Sequence, residues 1–171
     1  MIPYGKHYID QEDINAVIKV LKSDNLTQGP LTTVFEKEIS KYVGAKYSVV
    51  VTSCTAGLHM ASIVAKMNKG KVLLTSPITF VATANSSLFC GAETIFADID
   101  SSTINISTDS IKKVILKNKV RAIAPVHFGG LPCDVKKIKE IATRLEIAKK
   151  NVKNDQKSNI SIGCGVKFYS V

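Results

Sequence analysis

Tryptophan is absent, and aromatic residues make up only 6% of the chain. The basic–aromatic interleaving that stacks exposed bases is therefore missing. Acidic residues are also in short supply, 14 against 23 Lys and Arg, for a formal charge of +9. That excess is not a stripe along one element. From Ala148 onward, Lys149, Lys150, Lys153, Lys157 and Lys167 face a single Asp155, so nearly half of it lies in the tail. Charge alone raises a nucleic-acid-binding domain as a reading, and the missing aromatics argue against it. Cys54, Cys90, Cys133 and Cys164 form no CxxC pair, and the three histidines are scattered, which leaves zinc without a ligand set. We read all four cysteines as reduced thiols. No apolar run reaches bilayer length, so no membrane association is expected. The opening MIPYGKHYIDQED lacks a basic region followed by an apolar stretch, so it does not read as a secretion signal, and a cytoplasmic location is expected.

What is present is a globular pattern. A length of 171 residues with 45% hydrophobic content suits a domain with a real core. Ile14, Val17, Ile18 and Leu21 predict a helix over 9–23. After the Gly29-Pro30 break, Val34, Phe35, Ile39 and Val43 predict another over 31–43, ended by Gly44. Apolar strands then alternate with helices. Strands are predicted over 47–52, 71–76, 93–98 and 120–128, and helices over 55–67, 80–89, 107–118 and 134–146. Strands apolar throughout, separated by helices of ten or more residues, predict an α/β fold, a mostly parallel sheet with helices on both faces.

In such sheets ligands bind beyond the carboxyl ends of the strands. TSCTAGLHMAS, from Thr52 to Ser62, begins at one such end. The first N–H groups of a helix have no intrahelical acceptor, and the helix dipole adds positive charge, so this junction suits a phosphate. Small side chains at Ser53, Cys54 and Thr55 let an anion reach the backbone. The plainer reading is that Ser53 is only an N-cap. Phe80, after KVLLTS, is placed to cover a planar ligand, or else packs in the core. His127, in HFGGLPCD, either meets a ligand or bonds its own loop, and Gly129-Gly130 permit close backbone approach. Asp134 reads as an N-cap, and Asp98 and Asp100 as turn and cap residues.

TSCTAGLHMA, SPITFVATAN, GAETIFADID and AIAPVHFGGLPCDVKKI occur in this order, after LTQGPLTTVFEKEISKYVGAKYSVVV. Together they resemble the DegT/DnrJ/EryC1/StrS family of sugar aminotransferases, over about residues 2–147. The nearest likeness is to the UDP-4-keto-6-deoxy-N-acetylhexosamine 4-aminotransferases of pseudaminic acid biosynthesis. The resemblance implies the large domain of fold type I, aspartate aminotransferase-like, with pyridoxal 5′-phosphate (PLP) as cofactor. It implies a UDP-sugar and glutamate as substrates and a homodimer in intact relatives. By the same resemblance Ser53, Cys54 and Thr55 hold the cofactor phosphate, Phe80 stacks on the pyridine ring, and His127 lies close to the cofactor. Tyr4, Asp24, Asn25, Leu26 and Thr27 belong to the substrate segment. Cys54 stands where Gly or Ala is usual.

The family continues past residue 147 with an acidic motif whose Asp pairs with the pyridine nitrogen, then a lysine that binds PLP covalently, then a small domain. The sequence here reads LEIAKKNVKNDQKSNISIGCGVKFYSV and carries neither motif; Lys167 has the wrong context. No catalytic residue is therefore assigned. We expect residues 148–171 to be a divergent basic tail, irregular except for one short strand in ISIGCGVKFYSV, and the reading frame to be truncated near Ile147. The competing reading is a non-catalytic module that binds a phosphate ligand or a partner subunit.

Overall fold

The computed structural model describes residues 5–148, 159–162 and 166–170. The chain divides into two compact units, Met1–Val50 and Val51–Val171.

In the first unit, α1 (Gln11–Leu21) starts where Asp10 supplies a reciprocal cap. The Asp10 carboxylate accepts the N–H groups of Glu12 and Asp13 at 2.9 and 3.1 Å, and Asp13 Oδ2 accepts the Asp10 N–H at 3.1 Å. Four donors without intrahelical partners open every helix, and this exchange occupies two of them plus the cap's own. α2 (Pro30–Val43) begins with proline at its first position, where no N–H is needed, and ends at Gly44 with φ 66°. Gly29 is required for space. A Cβ there would lie 2.8 Å from the Asn25 carbonyl oxygen. Both predicted helices form, yet neither contributes a buried residue.

The strand predicted over 47–52 does not form; residues 47–51 carry no regular structure. The Val50 N–H instead donates to Glu36 Oε1 at 2.9 Å, and Tyr47 and Val49 are exposed. Apolar, β-branched residues give a strand its propensity, but the ladder needs a second strand. Among the described residues none pairs with this run.

The second unit is built on a five-stranded sheet. Its strands are β1 (Val72–Thr75), β2 (Glu93–Phe96), β3 (Val120–Ala124), β4 (Asn159–Ile162) and β5 (Val166–Ser170), in the order β2-β1-β3-β5-β4. β1 pairs parallel with both β2 and β3. All of β1 is buried, and its alternation divides the core. Val72 and Leu74 join Val120 and Ile123 against Ile111 and Ile115 of α5 (Thr108–Lys117) and Ile138 and Ile141 of α6 (Val135–Ala148). Leu73, Ala122 and Ala124 face the other way, against Leu58 and Ala61 of α3 (Cys54–Val64) and Ala82 of α4 (Val81–Leu88). Helices thus cover both faces, as the run of apolar strands predicts.

Two further predictions change. The strand expected over 120–128 stops at Ala124, because Pro125 has no N–H to give a ladder. The tail, read as holding one short strand, contains two. β4 and β5 pair antiparallel, and β5 lies antiparallel beside β3, with Ile123 opposite Tyr169. The apolar run is divided between Ile162 and Val166, which face each other at the end of the β4–β5 ladder. The described residues contain no helix long and apolar enough to cross a membrane, and no cluster of His, Cys, Asp or Glu suited to a metal ion.

Candidate functional site

Three segments converge on the carboxyl edge of the parallel strands. α4 and the His127 loop follow β1 and β3 directly. The orientation of α3 is set at its other end. Arg121 Nε, near the start of β3, donates to the carbonyl of Ala65, the C-cap of α3, at 3.0 Å. The last turn of α3 therefore lies at the amino end of the sheet, and its first turn points to the carboxyl end. Ser62 in α3 and Ser86 in α4, both buried, meet at 3.1 Å between the two helices.

At the start of α3, Ser53 is the N-cap and its Oγ accepts the Ala56 N–H at 3.2 Å. The capping role is thus observed. The Cys54 and Thr55 N–H groups precede the first possible intrahelical bond, so they project from the helix end with the dipole behind them. Ser53 and Cys54 are exposed and Thr55 is half-buried. The expectation of four reduced thiols needs correction: Cys54 is disulfide-bonded, whereas Cys90 and Cys133 are free. Disulfide formation depends on Cα atoms about 4.4–6.8 Å apart in space, a condition that wide spacing in sequence does not exclude. Cys164 lies outside the described residues.

Phe80 is the N-cap of α4 and is 76% exposed, so the core-packing alternative is excluded. The turn before it is held by hydroxyls: Ser76 Oγ accepts the Ile78 N–H at 3.2 Å, and the Thr79 and Thr83 hydroxyls pair at 2.9 Å. A bare phenyl ring is thereby presented at the sheet edge on a fixed support.

His127 is half-buried beyond β3, and its Nδ1 accepts the Cys133 N–H at 3.0 Å. The bond to its own loop, one of two roles open for this residue, is therefore present. Gly129 and Gly130 follow with φ 59° and 86°, in open space. They serve a left-handed backbone rather than a close approach. Cys133 Sγ–H donates to the Val126 carbonyl at 2.9 Å, and burial pushes this thiol above its ordinary range.

Of the remaining candidates, Asp24, Asn25, Leu26 and Thr27 form an exposed bend between α1 and α2, in the first unit. Tyr4 lies outside the described residues. Asp134 caps α6 through Lys137 N–H at 3.0 Å. Asp98 Oδ1 accepts the Ile99 N–H, and Asp100 accepts from Ser102 and Thr103, which holds its carboxyl below the usual range. These are the turn and cap roles read from the sequence. The residue that the sequence did not reveal is Asn105, whose buried carboxamide bonds Phe128 and Leu131 of the His127 loop. A loop asparagine carries no periodic signal of burial.

Comparison with known proteins matches this arrangement to a family. The sequence profile of the DegT/DnrJ/EryC1/StrS aminotransferase family matches residues 7–148. The spore coat polysaccharide biosynthesis protein SpsC of Bacillus subtilis is 40% identical over 141 residues, which is 82% of this chain and 36% of SpsC. The chain thus spans little more than a third of that relative's length. A putative sugar aminotransferase of Streptococcus pneumoniae, Spr1654, solved in its PMP and PLP forms, superposes with a TM-score of 0.79 at 25% identity, over 85% of this chain. That match covers 36% of the PMP-form chain. Helicobacter pylori PseC, an aminotransferase involved in the biosynthesis of pseudoaminic acid, superposes at 0.74 with 29% identity, over 84% of this chain and 39% of its own. The neighbours are fold type I aminotransferases, the family is PLP-dependent, and this chain belongs to the DegT/DnrJ/EryC1/StrS aminotransferase family.

Proposed function

We propose that the chain is the cofactor-binding N-terminal part of a PLP-dependent sugar aminotransferase, one that aminates a UDP-4-keto-6-deoxy-amino sugar with glutamate as donor. What supports this reading is one convergence: the first turn of α3, the exposed Phe80 ring and His127 share the carboxyl edge of a parallel sheet. The donors present fit the cofactor. Backbone N–H groups at Cys54 and Thr55 suit a phosphate dianion, with the Ser53 cap stiffening their turn. Phe80 offers a flat apolar face to a pyridine ring. When bound, PLP supplies the electron sink that transamination requires. The residues of this chain bind and orient it, and His127 borders the same edge.

The motifs for pairing the pyridine nitrogen and for covalent attachment are not found in the sequence. The 171-residue chain on its own is therefore proposed to bind without turnover. PseC supports the sugar assignment through its role in pseudoaminic acid biosynthesis. The basis for a nucleotide-sugar substrate and a homodimer is family resemblance.

Pyridoxamine 5′-phosphate is the proper probe, because it lacks the aldehyde that surface lysines would capture. Saturable quenching of its fluorescence by the chain is expected. Phe80→Ala should weaken it about tenfold, the loss of roughly 1–1.5 kcal/mol of stacking. Binding that does not saturate, or that ignores Phe80→Ala, would remove the reading. Glutamate-dependent amination of a UDP-4-keto sugar by this chain alone would overturn the proposed lack of turnover.

A further inference from the structure

We infer that Asn105 positions the His127 imidazole. Asn105 is 5% exposed, and its carboxamide reaches across the chain to the His127 loop. It adds two bonds to the loop's own, from Gly130 N–H to the His127 carbonyl at 3.3 Å and from Leu131 N–H to the Phe128 carbonyl at 3.0 Å. Oδ1 accepts the Phe128 N–H at 3.0 Å, and Nδ2 donates to the Leu131 carbonyl at 3.0 Å. These contacts bracket Gly129 and Gly130, both at positive φ, where the backbone has the most freedom to lose. Asn105 is itself held. Its carbonyl accepts the Asp100 N–H at 2.8 Å, and its N–H donates to Thr103 Oγ1 at 3.3 Å.

The loop so clamped begins at His127 and runs to Cys133, whose N–H donates to His127 Nδ1. A ring nitrogen that accepts carries no proton, so the neutral imidazole holds its proton on Nε2. The Cys133 bond, and with it the tautomer it selects, then depends on the distance between residues 127 and 133, which Asn105 sets together with the loop's own backbone bonds. Asparagine suits the task because one short side chain offers both a donor and an acceptor. Aspartate would keep the acceptor and lose the donor. The consequence for a cofactor rests on the proposed function; the positioning itself does not.

The test is a long-range proton–nitrogen correlation spectrum of the 15N-labelled chain, taken with its imidazoles neutral. His127→Gln identifies the signals among the three histidines. Wild type is expected to show Nε2 protonated. Asn105→Ala should shift both ring nitrogens toward tautomer averaging. Asn118→Ala should leave them unchanged, although it also removes a side-chain hydrogen bond, from Nδ2 to the Val114 carbonyl at 2.8 Å. A folded Asn105→Ala with the wild-type pattern overturns the inference. So does a wild type protonated on Nδ1, a result that needs no variant to fold. Pyridoxamine phosphate affinity is read alongside, with about a tenfold loss expected for Asn105→Ala, equal to about 1.4 kcal/mol. A chain that binds no pyridoxamine phosphate yet shows the tautomer shift supports the positioning and refutes only the cofactor reading.

Discussion

α1 and α5 follow one sequence rule and meet different ends. Both carry apolar residues at helical spacing, and both start at a side-chain cap, Asp10 in one and Ser107 in the other. In α5, Ile111 and Ile115 are buried against Val72, Leu74 and Ile123 of the sheet. In α1, Ile14, Val17, Ile18 and Leu21 all remain exposed, as do Val34, Phe35 and Ile39 of α2. Periodicity decides that a helix has an apolar face. It does not decide what the face meets. A helix of eleven residues without tertiary burial is marginal in water, so most of the stability of α5 comes from the sheet beneath it, and α1 lacks that support.

The sharpest way to break this contrast is to truncate one large side chain in each unit. Leu74→Ala, at a fully buried site, should cost about 2–5 kcal/mol in urea unfolding. Phe35→Ala should cost less than about 0.5 kcal/mol. Equal costs would show that α2 is packed in solution, and the contrast would fail. Thr75→Val comes next. The buried Thr75 hydroxyl donates to the Ala124 carbonyl at 2.7 Å, bracing β1 against β3. Its loss should cost about 1–3 kcal/mol. The analogous bond in the first unit, from the exposed Ser23 hydroxyl to the Val20 carbonyl at 2.7 Å, should be worth less than half as much when removed as Ser23→Ala. The caps separate the units more finely. Ser107→Ala should lower global stability by about 1 kcal/mol. Asp10→Ala should instead speed amide exchange within α1 and leave the main unfolding transition in place. A shift of that transition by Asp10→Ala would join the two units into one cooperative body.

Much of the fold was legible because it rests on local pattern. Val72, Leu73 and Leu74 read as a strand buried on both sides, and the Ser53 and Asp134 caps marked helix starts that the structure keeps. What failed was nonlocal. The strand over 47–52 had the composition but has no pairing strand among the described residues, and Cys54 was read as a thiol because nothing in the sequence showed what lay beside it. The candidate edge was legible as a place, since strand ends before α3, α4 and the His127 loop could be counted. Its details were not. The exposure of Phe80 and the clamp from Asn105 both depend on packing between segments distant in sequence.

The smallest effect expected is a slope with pH, and it belongs to the packed unit. Cys133 is buried in the cluster beneath α5 and α6, and burial raises its pKa. In the unfolded chain a thiol titrates near about 8.5. Between that value and the raised folded value, the folded state keeps a proton that the unfolded state has released. Stability therefore holds steady below about pH 8.5 on this account and falls as pH rises further. Cys90, half-buried and also raised by burial, adds to the same fall. Cys133→Ala should thus flatten the decline in urea midpoint between about pH 8 and 10 without removing it. An unchanged slope would mean that the Cys133 site admits water, and the cluster around Ile138 would then be less tightly closed than its burial indicates.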